Sequence, residues 1–280
     1  VEFAMKQIIA LVLTIAVGHF VSADETKMLT QSEQDLGAFI TNVSTQFEVR
    51  RLSKADQIIE YAASNKFSKA DLIRIARYFA DDSARRVNEG GDPKKLAKEI
   101  MKCNCVFSVF GKMEDRSVLD FLEQKSTHSN ELIRVDSSVA YVRIAGIDAI
   151  SFIERKRSDG RFSELDLCKL FDFFRIRITR EKGNNNNCAV NKALQFLLTT
   201  LETENNGEIA SRLDKMLSDL LADYNESLQR FQVMERLSKH ENAYYRNLFK
   251  AKLLEIEKTP KEKRKDFKAK GEILDPDRGK

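Results

Sequence analysis

"VDSSVAYVRIAGIDAISFIERK", Val135–Lys156, can be divided in two ways, and the choice decides the fold. By alternation, Leu132–Val135 and Val139–Ile144 flank the polar Asp136-Ser137-Ser138 as the arms of a β-hairpin. At helical spacing, Val139, Val142, Gly146, Ala149 and Ile153 fall on one stripe, with Ala145 and Ile150 beside it. Val139, Tyr141, Val142 and Ile144 favour a strand, and Gly146 costs a helix about 1 kcal/mol relative to Ala. Length weighs the other way, because strands usually run roughly 3–10 residues. The spacing predicts a helix over Val139–Ile153, capped by Asp136 or Ser137 and closed in charge by Glu154–Arg157. Ala145, Gly146 and Ala149 then form a smooth patch on which a second helix lies closely. The expected fold class is all-α, an irregular helical array or solenoid, and the alternative is α+β with a small antiparallel sheet. "CVFSVF" (Cys105–Phe110) and "FFRIRIT" (Phe173–Thr179) carry the same ambiguity.

The proline distribution agrees with helices. The 280-residue chain has only three prolines, Pro93, Pro260 and Pro276, where average usage gives about 14. Helix starts recur before Val87. "SEQD" (Ser32–Asp35) and two copies of "SKAD" (Ser53–Asp56, Ser68–Asp71) place Ser as cap and an acid three residues on. Phe67 and Leu72 hold the staple positions around the second copy, and Asp92-Pro93 marks another start. "FSELDLCKLFDFF" (Phe162–Phe174) repeats the pattern of Phe67–Phe79. Further helical runs are expected at Cys188–Leu201, Glu208–Tyr224, Leu228–Leu237 and Ala243–Glu257.

Lys6 followed by the apolar Ile8–Val17 and by "VSA" ending at Ala23 has the order of a secretory signal peptide. Met5 is the natural start, and Val1–Ala4 look like upstream residues. The expected organisation is a signal with upstream residues at 1–23, a helical domain at 24–258 and a charged tail at 259–280. The mature chain is expected outside the cytosol, periplasmic or secreted. The tail's basic run, Lys258–Lys270, offers attraction to an anionic surface, diluted by Glu262 and Asp266. A net charge of +4 gives no specific nucleic-acid signal.

Export makes the four cysteines, Cys103, Cys105, Cys168 and Cys188, candidates for disulfides. A Cys168–Cys188 bridge requires the first helix to stop near Lys169–Phe171, or its connection to fold back. Otherwise antiparallel packing separates the pair beyond the roughly 7 Å Cα limit. Buried thiols and, less naturally, zinc remain as alternatives, since CxC is not the usual zinc spacing.

"DSSVAYVRIAGIDAISFI" resembles the second helix of a HEAT repeat, through Val142, Arg143, Ala145, Ala149 and Ile150. His240–Ile256 and Asn205–Leu217 are weaker echoes. The resemblance implies an α-solenoid whose stacked helices present an extended binding face to a protein partner.

No catalytic, cofactor or metal residues are expected. "SDGRFSELD" (Ser158–Asp166) resembles half of an EF-hand loop, but Arg155 and Arg157 stand where calcium needs oxygens. A turn leading into a capped helix is the better account. The remaining histidines, His128 and His240, sit among polar neighbours, and no hydrolase or nucleotide-binding motif is present. The expected function is a non-catalytic interaction or scaffold protein. The alternative is a secreted hydrolase with carboxylates that no motif marks.

Overall fold

The computed structural model describes residues 29–46, 51–183 and 187–220, together with a few single positions between 235 and 254. The signal-like segment, the basic tail and, apart from those single positions, the last two expected helices lie outside the described residues. The fold is all-α, with no strand among the described residues. Its helices are α1 (Gln31–Ser44), α2 (Arg51–Ser64), α3 (Lys69–Glu89), α4 (Pro93–Met113) and α5 (Leu119–Lys125). They continue as α6 (Glu131–Ala145), α7 (Ile150–Arg157), α8 (Glu164–Gly183), α9 (Asn187–Thr203) and α10 (Gly207–Leu220).

Several boundaries follow from local chemistry. Ser68 and Asp71 form a reciprocal capping box at α3, and Phe67 and Leu72 both pack on the core. Asp92 caps α4 with Pro93 in its first turn. Ser163 and Asp166 form the same box before α8, so "SDGRF" is a turn. Asp159 organises that turn by accepting from the backbone and side chain of Arg161, which holds its carboxyl down to about 2. Two expected caps are displaced. Thr30 with Glu33 caps α1 in place of Ser32, and α2 begins at Arg51, leaving Ser53 inside it. Burial of Lys54 accompanies this: its Nζ donates to the Ser44 carbonyl at 2.9 Å, which ties α2 to the end of α1.

The opening stretch is helical but is not one helix. α6 starts five residues before Asp136, where the Asn130 side chain accepts from the Ile133 amide. It ends at Gly146, whose φ of 61° is left-handed and accessible chiefly to glycine. A short 3-10 turn, Gly146–Ala149, then leads into α7. The smooth patch is therefore a break rather than a helix face. A Cβ at Gly146 would lie 3.2 Å from Cγ and Nε of Arg177, so the backbone conformation and the neighbouring helix both require glycine. Gly146→Ala is expected to cost about 2 kcal/mol in denaturant unfolding. An unchanged midpoint would show that α6 can run on through the turn.

Two hydrophobic clusters divide the fold. One runs from Leu36 to Ile144 and the other from Val135 to Leu217. α6 belongs to both, because Ile133, Ala140 and Ile144 face the first cluster and Val135, Val142 and Ala145 the second. Leu119 and Tyr141 pack against both.

Helix directions follow from a few contacts. Lys69 Nζ reaches the Met113 carbonyl and Cys103 Sγ the Ala80 carbonyl, so α3 and α4 are antiparallel. Arg134, early in α6, reaches the Arg161 carbonyl just before α8, while Gly146 abuts Arg177 late in α8. α6 and α8 are therefore parallel. Glu114, at the end of α4, binds Arg177 and Arg180 near the end of α8, so α4 shares that direction. α5 and α7 are the return segments between these three. Ion pairs between successive layers, Arg116–Asp148 and Arg155–Glu123, each join positions 32 residues apart.

Candidate functional site

The parallel run of α4, α6 and α8 leaves a groove of about 190 Å³. Its floor is the face of α6 that carries Asp136, Val139, Ala140 and Arg143. Asn104, Phe107, Ser108 and Gly111 of α4 form one bank, and Lys169 and Phe173 of α8 the other. These positions recur every three or four residues, so one face of each helix lines the groove along its length. Gly111 lets Arg143 lie close on that bank, because a Cβ there would stand 3.2 Å from Cδ of Arg143.

One end of the groove is cationic. Glu114 has a left-handed φ of 49° and closes α4. Its Oε2 accepts from Arg177 at 2.8 Å and its Oε1 from Arg180 at 2.7 Å, bridging the two banks. Both carboxylate oxygens are thus engaged by α8. Arg143, lining the same end, makes no hydrogen bond or ion pair among the described residues. Burial, reinforced by the charge of Arg180, pushes its guanidinium below the usual arginine value. Arg177 and Arg180 share Glu114, Arg177 also pairs with Glu181, and Arg143 makes no such pair among the described residues.

The opposite end is mixed in charge. Asp136 lines it, and Lys169 pairs with Asp166 at 3.2 Å. Asn104, only 5% exposed, presents a side-chain oxygen with no hydrogen-bond partner. Among the described residues, Leu132, Leu165 and Ile176 are large apolar side chains about half exposed. Leu132 and Leu165 lie one turn before Asp136 and Lys169, and Ile176 lies one turn after Phe173. Apolar surface therefore continues beyond both ends of the groove along α6 and α8.

A second, wide-open cavity of about 510 Å³ is lined by Tyr78, Asp81, Asp82, Arg85, Lys125 and His128. Its acids are committed, Asp81 to Lys125 and Asp82 to Arg85 and Arg86. His128 is held by both ring nitrogens: Nδ1 accepts from the Asn130 amide at 3.0 Å and Nε2 lies 3.2 Å from the Ala84 carbonyl. Burial, with Lys125 and Arg134 nearby, favours its neutral form. These groups stitch α3 to the loop before α6 and leave no side chain poised for acid–base work.

Of the motif residues, Val142, Arg143 and Ala145 lie in α6, whereas Ala149 ends the 3-10 turn and Ile150 opens α7. Only Arg143 reaches the groove. Asn104 drew no attention in the sequence because it sits between two cysteines.

Cys168 and Cys188 are free thiols, the first buried in α8 and the second exposed at the start of α9. α8 continues to Gly183, so the early stop that would allow a bridge is absent, and the connection that would otherwise have to fold back, 184–186, lies outside the described residues. Cys103 and Cys105 are buried as well, and burial pushes the Cys103 thiol up to about 12. A thiol reagent applied to the unreduced native protein is expected to label Cys188 at once and the other three only in denaturant. A Cys168–Cys188 peptide pair in the mass spectrum would overturn this. No group of His, Cys, Asp or Glu suited to a metal ion occurs among the described residues. Nor is any described helix long and apolar enough to cross a membrane. The chain matches no protein-family model, no curated protein and no solved structure.

Proposed function

We propose that this is an exported, non-catalytic protein–protein interaction protein that receives its partner in the groove between α4, α6 and α8. The observation that carries the reading is the partly exposed Val139 and Phe173 in the groove, backed by buried Phe107 and Ala140 and flanked by half-exposed Leu132, Leu165 and Ile176. Exposed apolar surface that continues along a preformed groove marks a contact site on an otherwise charged protein. The parallel helices and the 32-residue offset between layers support a solenoid-like array, the architecture that the HEAT resemblance implies. The small volume also bears on class, since sites for small molecules usually run roughly 300–1,000 Å³. A groove of about 190 Å³ open along its length suits side chains of a larger partner rather than an enclosed small molecule.

Site-specific photo-crosslinking in the native host tests this. A photoreactive residue at Val139 is expected to give a discrete adduct, and one at exposed Lys94 none. Ser108→Trp, which fills the groove from α4, is expected to remove the Val139 adduct while leaving the circular dichroism unchanged. An adduct that survives Ser108→Trp would place the interaction elsewhere.

A further inference from the structure

The geometry points to an acidic segment of a partner protein as the occupant of the groove, with one carboxylate seated on Arg143 and an apolar side chain over Val139 and Phe173. This rests on the interaction reading above and adds the chemistry of the partner.

Charge complementarity selects the occupant. A half-buried guanidinium has lost much of its hydration, and it regains that free energy only from an anion or from carbonyl oxygens. Arg143 makes no hydrogen bond or ion pair among the described residues, because the two acids nearest it are engaged elsewhere, Glu114 by Arg177 and Arg180 and Asp56 by Lys112. The charges around it are Arg143, Arg177, Arg180 and Lys112 against Glu114, Glu181 and Asp56. One positive charge is left over, which suits a single carboxylate better than a doubly charged phosphoryl group.

A second, independent observation lies in the same groove. The Asn104 side-chain oxygen is buried and unpartnered. Asn104 stands two turns before Gly111, at about 1.5 Å per residue some 10 Å from the Arg143 end. An extended or helical segment spans that distance with groups on successive turns. Its carboxylate meets Arg143 and a polar group of its backbone or side chain meets Asn104. The chain's own tail is a poor occupant, because Lys258–Lys270 is predominantly basic.

Fluorescence anisotropy with two labelled dodecapeptides tests the assignment. Both carry one leucine, and a residue one helical turn away is glutamate in the first and glutamine in the second. The expected result is at least tenfold tighter binding of the glutamate peptide to the full chain, weakening with added salt. Arg143→Met is expected to erase the preference, Arg143→Lys to keep most of it, and Ser108→Trp to abolish binding of both. Thermal melts of each variant identify any that fail to fold, and Arg143→Gln, also expected to erase the preference, then decides in place of Arg143→Met. Equal affinity of wild type for the two peptides, no binding of either at millimolar concentration, or a preference that survives Arg143→Met would each overturn the proposal. If the Val139 crosslink still forms in the host under those outcomes, the interaction reading stands and only the acidic chemistry falls.

Discussion

Arg134→Met is expected to lower the free energy of unfolding by about 3 kcal/mol, measured by chemical denaturation. Arg134 is 6% exposed and has no carboxylate partner among the described residues; its guanidinium is spent on main-chain carbonyls. Nη1 donates to His128 and Ser129, both at 3.1 Å, and Nη2 donates to Arg161 at 2.8 Å. The group also lies over the Phe162 ring at 5.6 Å. Methionine fills the volume of the stem but leaves three carbonyls without their donor. Each such bond to a charged group contributes roughly 1.5–3 kcal/mol, offset in part because the buried charge disappears as well. The loops before α6 and α8 meet here, and Lys156 and Arg161 reinforce the seam by donating to the Ser126 and Thr127 carbonyls at the end of α5. Those cations also face the negative end of a helix. A loss below about 1 kcal/mol would mean that these two groups hold the seam without Arg134.

Phe174→Ala is expected to cost about 4 kcal/mol. Phe174 is fully buried, and its ring meets Phe196 edge-on with centroids 5.7 Å apart. Phe171 packs on the same ring from 6.3 Å, so α8 grips α9 through two aromatics. Deleting one leaves a cavity that rigid helices close only in part. The companion change Phe107→Ala strikes the other cluster. If α6 couples the two clusters into one cooperative unit, both variants shift a single transition by similar amounts. Two separated transitions would show that the halves unfold independently.

Local chemistry was legible in the sequence and long-range packing was not. Ser68 with Asp71, Asp92 with Pro93 and Ser163 with Asp166 act within one turn, so their spacing alone located three helix starts. The first "SKAD" has the same spacing but lies inside α2, where the buried Lys54 contacts the preceding helix. Gly146 shows the same limit. Its hydrophobic stripe runs unbroken through Ile153, yet the positive φ and the closeness of Arg177 end α6 there. The strand-like runs Cys105–Phe110 and Phe173–Thr179 are helical because buried faces in a helical core outweigh β-propensity. Arg143 stood out as part of a motif, but its lack of a carboxylate partner depends on Glu114, Arg177 and Arg180, which only folding brings together.

The sharing of α6 between two clusters has a consequence during synthesis. The first cluster is complete once the ribosome has released the chain through Ile144, the last residue it uses. Growing chains begin to fold from the amino end, so α1 to α6 can assemble while α8 to α10 are still being made. In that interval Val135, Val142 and Ala145 of a finished helix face solvent, waiting for Phe171, Phe174 and Leu197 to cover them. A nascent chain stalled between Ala145 and Glu164 therefore displays a sticky, preformed helix face. That window is the one in which a holding chaperone has most to protect.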